Sequence, residues 1–230
     1  MAARYAVYYA PPADSELWKL GCRWLGRDPQ RGEILEQPAV QGLDAARIAA
    51  LTASPRTYGF HATLKPPFRL REGCDADDLD RALAALSRTQ RPFALPRLQL
   101  ARLGGFLALT PVDADEALRN LAQRCVVELD GLRRSPDEEE LLRRRSAGLS
   151  AAQVRLLERW GYPYVLEEFR FHLTLTDRVS EPDAARLVAW LDSWFAAARI
   201  QTLAVEDVSL FVQPASREPF QLLRRYRLAG

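Results

Sequence analysis

The chain contains two histidines, and both sit in the same pentapeptide: Phe60-His61-Ala62-Thr63-Leu64 and Phe171-His172-Leu173-Thr174-Leu175, 111 positions apart. In a strand, side chains alternate between faces, so His61 and Thr63 project together while Phe60, Ala62 and Leu64 enter the opposite apolar layer. His172 and Thr174 repeat the arrangement. Two imidazoles facing one cleft can divide acid-base work near neutral pH, one accepting a proton while the other donates one. That division suits in-line displacement at phosphorus: the neutral ring activates water or a hydroxyl, the charged ring protonates the leaving oxygen, and hydroxyls and cations hold the phosphoryl oxygens. By the same parity Lys65 joins the first polar face, and Arg170 and Thr176 the second. The scheme needs no metal and no cofactor. A zinc site would need further Cys, His or carboxylate ligands at recognisable spacing, and these are lacking, with Asp177 the one candidate left open.

One His-x-Thr on a strand is commonly packing, but a second copy in a matching context calls for a mechanism. The elements around the two copies are parallel. Residues 4–10 read as an opening strand stopped by Pro11-Pro12, and helical spacing follows over Asp14–Gly26 and Leu43–Leu51. The first motif strand is expected over Tyr58–Leu64, closed by Lys65-Pro66-Pro67. After it come an Asp75-capped helix to Arg88, a hairpin of 93–102 and 106–112 around Gly104-Gly105, and an amphipathic helix ending near Leu129. After the second motif strand, expected over Phe169–Thr176, Ser180 starts a helix, and 202–213 and 220–228 form another hairpin. The repeat thus predicts one bilobal domain over 1–230: a first His-x-Thr unit over about 56–130, a helical insertion over about 131–168 and a second unit over about 169–230.

The insertion carries two capping-box sequences, starting at Ser135 and Ser150, and the triplet Arg143-Arg144-Arg145. Arginine reads phosphate bidentately, so the triplet is a candidate reader of a second substrate phosphate, against the alternative of a solvated face pairing with Glu138–Glu140. Tyr58, Tyr162 and Tyr164 border the motifs and are candidate lining residues. Trp18, Trp24, Trp190 and Trp194 keep helical spacing and belong in a core.

Composition narrows the partners. With 32 basic and 30 acidic residues the formal charge is only +2, so no global field favours long nucleic acid or an anionic membrane. Three cysteines, Cys22, Cys74 and Cys125, are widely spaced and odd in number, which fits a reducing compartment. No signal-peptide core or membrane-length apolar run is present, so a cytoplasmic location is expected, with no obligate protein partner evident.

The duplicated His-x-Thr strands, each followed by a helix and a hairpin, resemble the two-histidine (2H) phosphoesterase superfamily over essentially the whole chain. The resemblance implies an α+β fold: two pseudo-twofold-related lobes, each with an antiparallel sheet and packed helices, around a central cleft. It also implies metal-independent action on phosphodiesters, often cyclic, and assigns His61, Thr63, His172 and Thr174 as catalytic. A narrower similarity, to a bacterial family of phosphonate metabolism proteins, rests on Arg4–Pro11, Tyr58–Phe68, Trp160–Val165 and Phe169–Thr176. It implies a small phosphorylated substrate, a ribosyl phosphate bearing a cyclic phosphate being one form, with Tyr58, Lys65, Tyr164, Arg170 and Thr176 as candidate contacts. Two other readings remain open at this stage. One is hydrolysis or ligation at RNA ends, and the other is a non-catalytic nucleotide or metabolite binder that keeps the cleft without turnover.

Overall fold

Where the sequence pairs a polar cap with a 3.6-residue apolar period, helices form, and where it alternates, strands form. The computed structural model describes residues 3–145, 148–200 and 202–230, without the side chains of Glu140, Arg143, Arg145, Arg199 and Ile200. The first half contains β1 (Arg4–Tyr9), α1 (Glu16–Leu25), the short pair β2 (Arg27–Asp28) and β3 (Glu33–Ile34), α2 (Ala45–Leu51), α3 (Ala53–Tyr58) and β4 (Ala62–Phe68). It continues through α4 (Ala76–Arg88), β5 (Phe93–Leu95), β6 (Leu98–Leu103), β7 (Phe106–Pro111) and α5 (Glu116–Glu128). The insertion holds α6 (Glu138–Arg145) and α7 (Ala151–Trp160). The chain ends with β8 (Leu173–Thr174), α8 (Glu181–Trp194), α9 (Ala196–Ile200), β9 (Leu203–Val205), β10 (Asp207–Gln213) and β11 (Gln221–Arg227).

Caps fix the helix starts. Ser15, Asp44, Asp115 and Ser180 each accept a first-turn backbone N–H, and Asp75 with Asp78 and Ser150 with Gln153 close full capping boxes. The second capping box of the insertion is therefore real, and α7 seats on α5 through a small separate core of Val126, Leu156 and Val165. Trp18 and Trp24 are buried, and Trp190 lies between Trp24 and Trp194 at centroid distances of 5.5 and 5.0 Å, all as packing. No described helix is long and apolar enough to cross a membrane.

The sheets are antiparallel, and they interleave the two halves of the chain. The larger has the order β11-β10-β1-β4, so the first motif strand shares a sheet with the hairpin of the second half. The smaller has the order β6-β7-β8, so the second motif strand adds to the hairpin of the first half. Strands β5 and β9 form a third pairing between the halves. Each of these two sheets is thus built from a motif strand of one unit and a hairpin of the other, with β1 inserted in one sheet only. An exchange of this kind ties both motifs to the same core.

Two expectations about the motif strands change. Tyr58 ends α3 rather than opening β4, and β4 continues through Lys65-Pro66-Pro67 instead of stopping there. Proline is tolerated because β4 lies at the edge of its sheet, where a missing N–H interrupts no inner ladder. The second motif strand keeps only two ladder residues. Beyond them the Leu107 carbonyl accepts from both Leu175 and Thr176, while the Leu107 N–H donates to the Thr176 hydroxyl at 2.9 Å, a side chain standing in for backbone pairing.

Candidate functional site

The ladder between β1 and β4 aligns Tyr8 with Thr63 and Val7 with Lys65, with bulges on either side of Val7. The bulge spaces Thr63 and Lys65 against adjacent partners, so strict alternation fails between them. His61 and Thr63 stay on the cleft face. Lys65, expected beside them, is instead buried at 2 % exposure under α5, where its ammonium donates to the Val126 carbonyl at 3.0 Å. This corrects the parity argument: one inserted residue sends the lysine to the other side of the sheet. Burial pushes its amine down to about 8, partly opposed by Asp130.

The His61 ring stacks on Tyr8 with centroids 3.7 Å apart and planes 23° from parallel. Its Nδ1 lies 2.8 Å from the Gly59 carbonyl and its Nε2 3.2 Å from the Thr63 hydroxyl. A carbonyl only accepts, so Nδ1 carries the proton, and in the neutral ring Nε2 is a lone pair that accepts from Thr63. Gly59 is required for this geometry: its φ is 82° with ψ 175°, and an added Cβ would lie 2.6 Å from Pro29. Burial pushes the His61 imidazole down to about 4, with the Gly59 carbonyl opposing and the charge of His172 adding to the depression.

His172 repeats the local arrangement. Its Nδ1 lies 2.7 Å from the Arg170 carbonyl, again two residues upstream, and burial again favours the neutral ring. The Nε2 has no hydrogen-bond partner among the described residues, and Phe106 packs 5.7 Å away centroid to centroid. Trp24 holds this segment by donating from Nε1 to the Leu175 carbonyl at 2.8 Å. Both histidines and both threonines line one cavity of about 410 Å³. The chemistry available to it is proton transfer at two Nε2 atoms, each fixed in tautomer by its own backbone, beside two hydroxyls.

Of the other expected contacts, Tyr58 and Thr176 line this cavity, Tyr58 stacked on Phe220 and Thr176 with its hydroxyl already engaged by Leu107. Arg170 and Tyr164 are exposed and line an adjoining cavity of about 520 Å³ that shares Thr63, Phe106, Tyr162 and His172 with the first. Of the arginine triplet, Arg144 reaches the main cavity, donating to the Gly161 carbonyl with its guanidinium 5.6 Å from the centre of the Tyr162 ring. The side chains of Arg143 and Arg145 lie outside the described residues.

The sequence reading missed Arg4, Tyr8, Phe106 and Arg178, which also form the wall. Alternation along β1 puts Arg4 and Tyr8 on one face, a signal present in the sequence, but nothing there says that β1 pairs with β4. Asp177, the one carboxylate of the wall among the described residues, accepts from the Ser54 N–H at 2.9 Å, and Arg4, Arg144 and Arg178 outnumber it in formal charge. Among the described residues no group of three or more His, Cys, Asp or Glu assembles a metal site.

Antiparallel sheets that exchange hairpins between two repeats, with a matched His-x-Thr pair at the centre, define an α+β protein whose cleft is lined by two histidines. The chain belongs to the family described as "Protein of unknown function (DUF1045)", which matches residues 63–221. Two curated relatives are "Ribose 1,5-bisphosphate phosphokinase PhnN" from Janthinobacterium sp. (strain Marseille), 38% identical over 99% of this chain, and the protein of the same name from Laribacter hongkongensis (strain HLHK9), 40% identical over 96%. The chain spans about half the length of both, 51% in each case. Similar solved structures include a phosphoesterase (16% identity, TM-score 0.46, full coverage of both chains) and E. coli LigT complexed with 3'-AMP (16%, TM-score 0.43, full coverage of both).

Proposed function

We propose that this protein is a phosphoesterase that opens a small cyclic phosphodiester without a metal, using His61 and His172 as its acid-base pair and Thr63 and Thr174 to hold phosphoryl oxygens. One observation carries the reading: both histidines donate from Nδ1 to the carbonyl two residues upstream, at 2.8 and 2.7 Å, and so present Nε2 to one cavity. In the reaction water attacks phosphorus and gives a proton to the neutral Nε2. The ring P–O bond breaks, and the leaving oxygen takes the proton of the opposing imidazolium. The pair ends with its protonation states exchanged and resets through solvent.

The relatives' names support a phosphorylated ribose as the substrate. The kinase activity in those names calls for a nucleotide-phosphate loop, and here neither lysine follows a glycine, so GxxxxGK[ST] is absent from this chain. The paired histidines of the cleft support esterase work for this chain instead. Opening a 1,2-cyclic phosphate of ribose 5-phosphate at O2 leaves ribose 1,5-bisphosphate, the compound in the relatives' name. Phosphonate metabolism and a cytoplasmic setting belong to the same proposal, the latter in keeping with cysteines that are all free thiols.

The test is product formation from a panel of nucleotide and ribose cyclic phosphates in EDTA, comparing wild type with His61→Ala and His172→Ala. Turnover that survives the chelator and falls by orders of magnitude in each variant is expected. Wild-type rates in both variants would refute the assignment.

A further inference from the structure

Tyr8 stands opposite Thr63 in the β1–β4 ladder, 1% exposed, with its ring face to face with the His61 imidazole. It lines the histidine cavity together with Tyr58, Tyr162 and Arg4. Its hydroxyl makes no hydrogen bond among the described residues, although the side chain is as buried as the apolar core behind it. Packing alone does not call for that oxygen. The ring beside His172 is Phe106, from the strand that pairs with β8, and it covers that imidazole without a hydroxyl. Tyr8 likewise packs on Phe211 and Phe220 through its ring. A buried hydroxyl without a partner costs stability that phenylalanine would not, so the oxygen serves something that enters the cavity. The phenol also keeps its proton: burial, with Tyr58 and Tyr162 adding and Arg4 opposing, holds it well above its ordinary range. Those three neighbours all stand in the cavity wall, so the hydroxyl faces the cavity and not the core. A hydroxyl has one proton to give, and in the resting site that of Thr63 is directed at His61 Nε2, 3.2 Å away. Thr63 becomes available to a phosphoryl oxygen only by turning from the imidazole, whereas the Tyr8 proton is uncommitted.

Resting on the diesterase reading of the cleft, we infer that Tyr8 is a further catalytic residue, whose hydroxyl donates a hydrogen bond to a non-bridging phosphoryl oxygen as that oxygen gains charge in the transition state. A neutral donor fixed in a buried wall stabilises developing charge without having to reorganise. The O–H bond of Tyr8 stays intact, and the proton transfers remain those of the two imidazoles. The ring contributes separately, since its π face favours the charged state through which His61 passes in the reaction.

The test compares Tyr8→Phe, which removes the oxygen and keeps the ring, with Tyr9→Phe, which does the same one residue on, where the hydroxyl is sealed off beside Phe171. The first measurement is calorimetric titration of orthovanadate, an oxyanion that adopts the five-coordinate geometry of phosphoryl transfer and needs no identified substrate. Vanadate is expected to bind Tyr8→Phe about 10-fold more weakly than wild type, and Tyr9→Phe with unchanged affinity. The second is turnover of a cyclic ribose phosphate, where kcat of Tyr8→Phe is expected to fall about 10- to 100-fold with KM within a few-fold of wild type. The third is the thermal midpoint, which should hold or rise in Tyr8→Phe because the deleted hydroxyl had no partner, whereas a merely structural hydroxyl would lower it. Unchanged vanadate affinity in Tyr8→Phe, or no vanadate binding by the wild type, would overturn the inference, as would a wild-type kcat in that variant. If no cyclic diester turns over, the diesterase reading falls and vanadate alone decides: weaker binding by Tyr8→Phe keeps the hydroxyl as an oxyanion donor of the cleft, and equal binding removes it.

Discussion

Binding of a phosphodiester in the cleft will favour the charged form of the histidine pair, and His61 shows by how much. In the free protein burial holds that imidazole down at about 4, so at pH 7 only about one ring in 10³ is charged. A single phosphoryl charge about 4 Å away, at an effective dielectric near 20, favours the imidazolium by about 4 kcal/mol, or roughly 10³-fold. The two effects nearly cancel, which predicts uptake of about half a proton by His61 at pH 7, approaching one as pH falls toward 6 and vanishing above about 8. The sign follows from the depression: the free His61 ring binds no proton in this window and the liganded one does. Calorimetry with a slowly hydrolysed cyclic phosphorothioate of ribose, whose own charge is constant over this range, gives the number from the dependence of heat on buffer ionisation enthalpy. Nitrogen NMR of the two rings then assigns it, with the free His61 ring expected as the neutral Nδ1–H tautomer throughout pH 5–8. Buffer-independent heats, or a free His61 that titrates at its ordinary value of 6.5, would refute the reasoning.

Two further predictions concern residues outside the reaction itself. Gly59→Ala places a β-carbon 2.6 Å from Pro29 at a backbone conformation that is essentially glycine-only, so a stability loss of about 1–3 kcal/mol is expected. Because the Gly59 carbonyl holds His61 Nδ1, kcat should fall at least about 10-fold with little change in KM, and normal turnover in the folded variant would count against that role. Lys65→Met should leave kcat/KM within a few-fold of wild type, since the amine serves the Val126 carbonyl and not the cleft. Its pH signature is separate. The unfolded lysine holds its proton to a higher pH than the buried one, so wild type gains stability between pH 8 and 10.5, and the Met variant should lack that part of the gain in denaturant titrations. A steep loss of turnover in Lys65→Met would restore the lysine to the site.

Much of this protein was legible as a string of residues. The four motif side chains needed only a recurrence and the two-residue period of a strand, and the helix starts needed only their caps, because both signals are local and their physics acts within a few residues. The strength of the histidine argument came from scarcity: with two histidines in the chain, their identical settings left little room for coincidence. Tryptophan spacing likewise announced a core, since helical periodicity reports burial whatever the neighbours are.

Pairing was decided elsewhere. The sequence presents each motif strand with its own downstream hairpin, yet the fold exchanges them, joining β4 to β1, β10 and β11 and β8 to β6 and β7, because partner choice depends on which apolar faces can be buried together across the whole chain. That choice brought Tyr8 against His61 and Arg4 to the cleft wall. A bulge opposite Val7 then undid the parity that linked Lys65 to Thr63, turning an expected substrate contact into a buried amine.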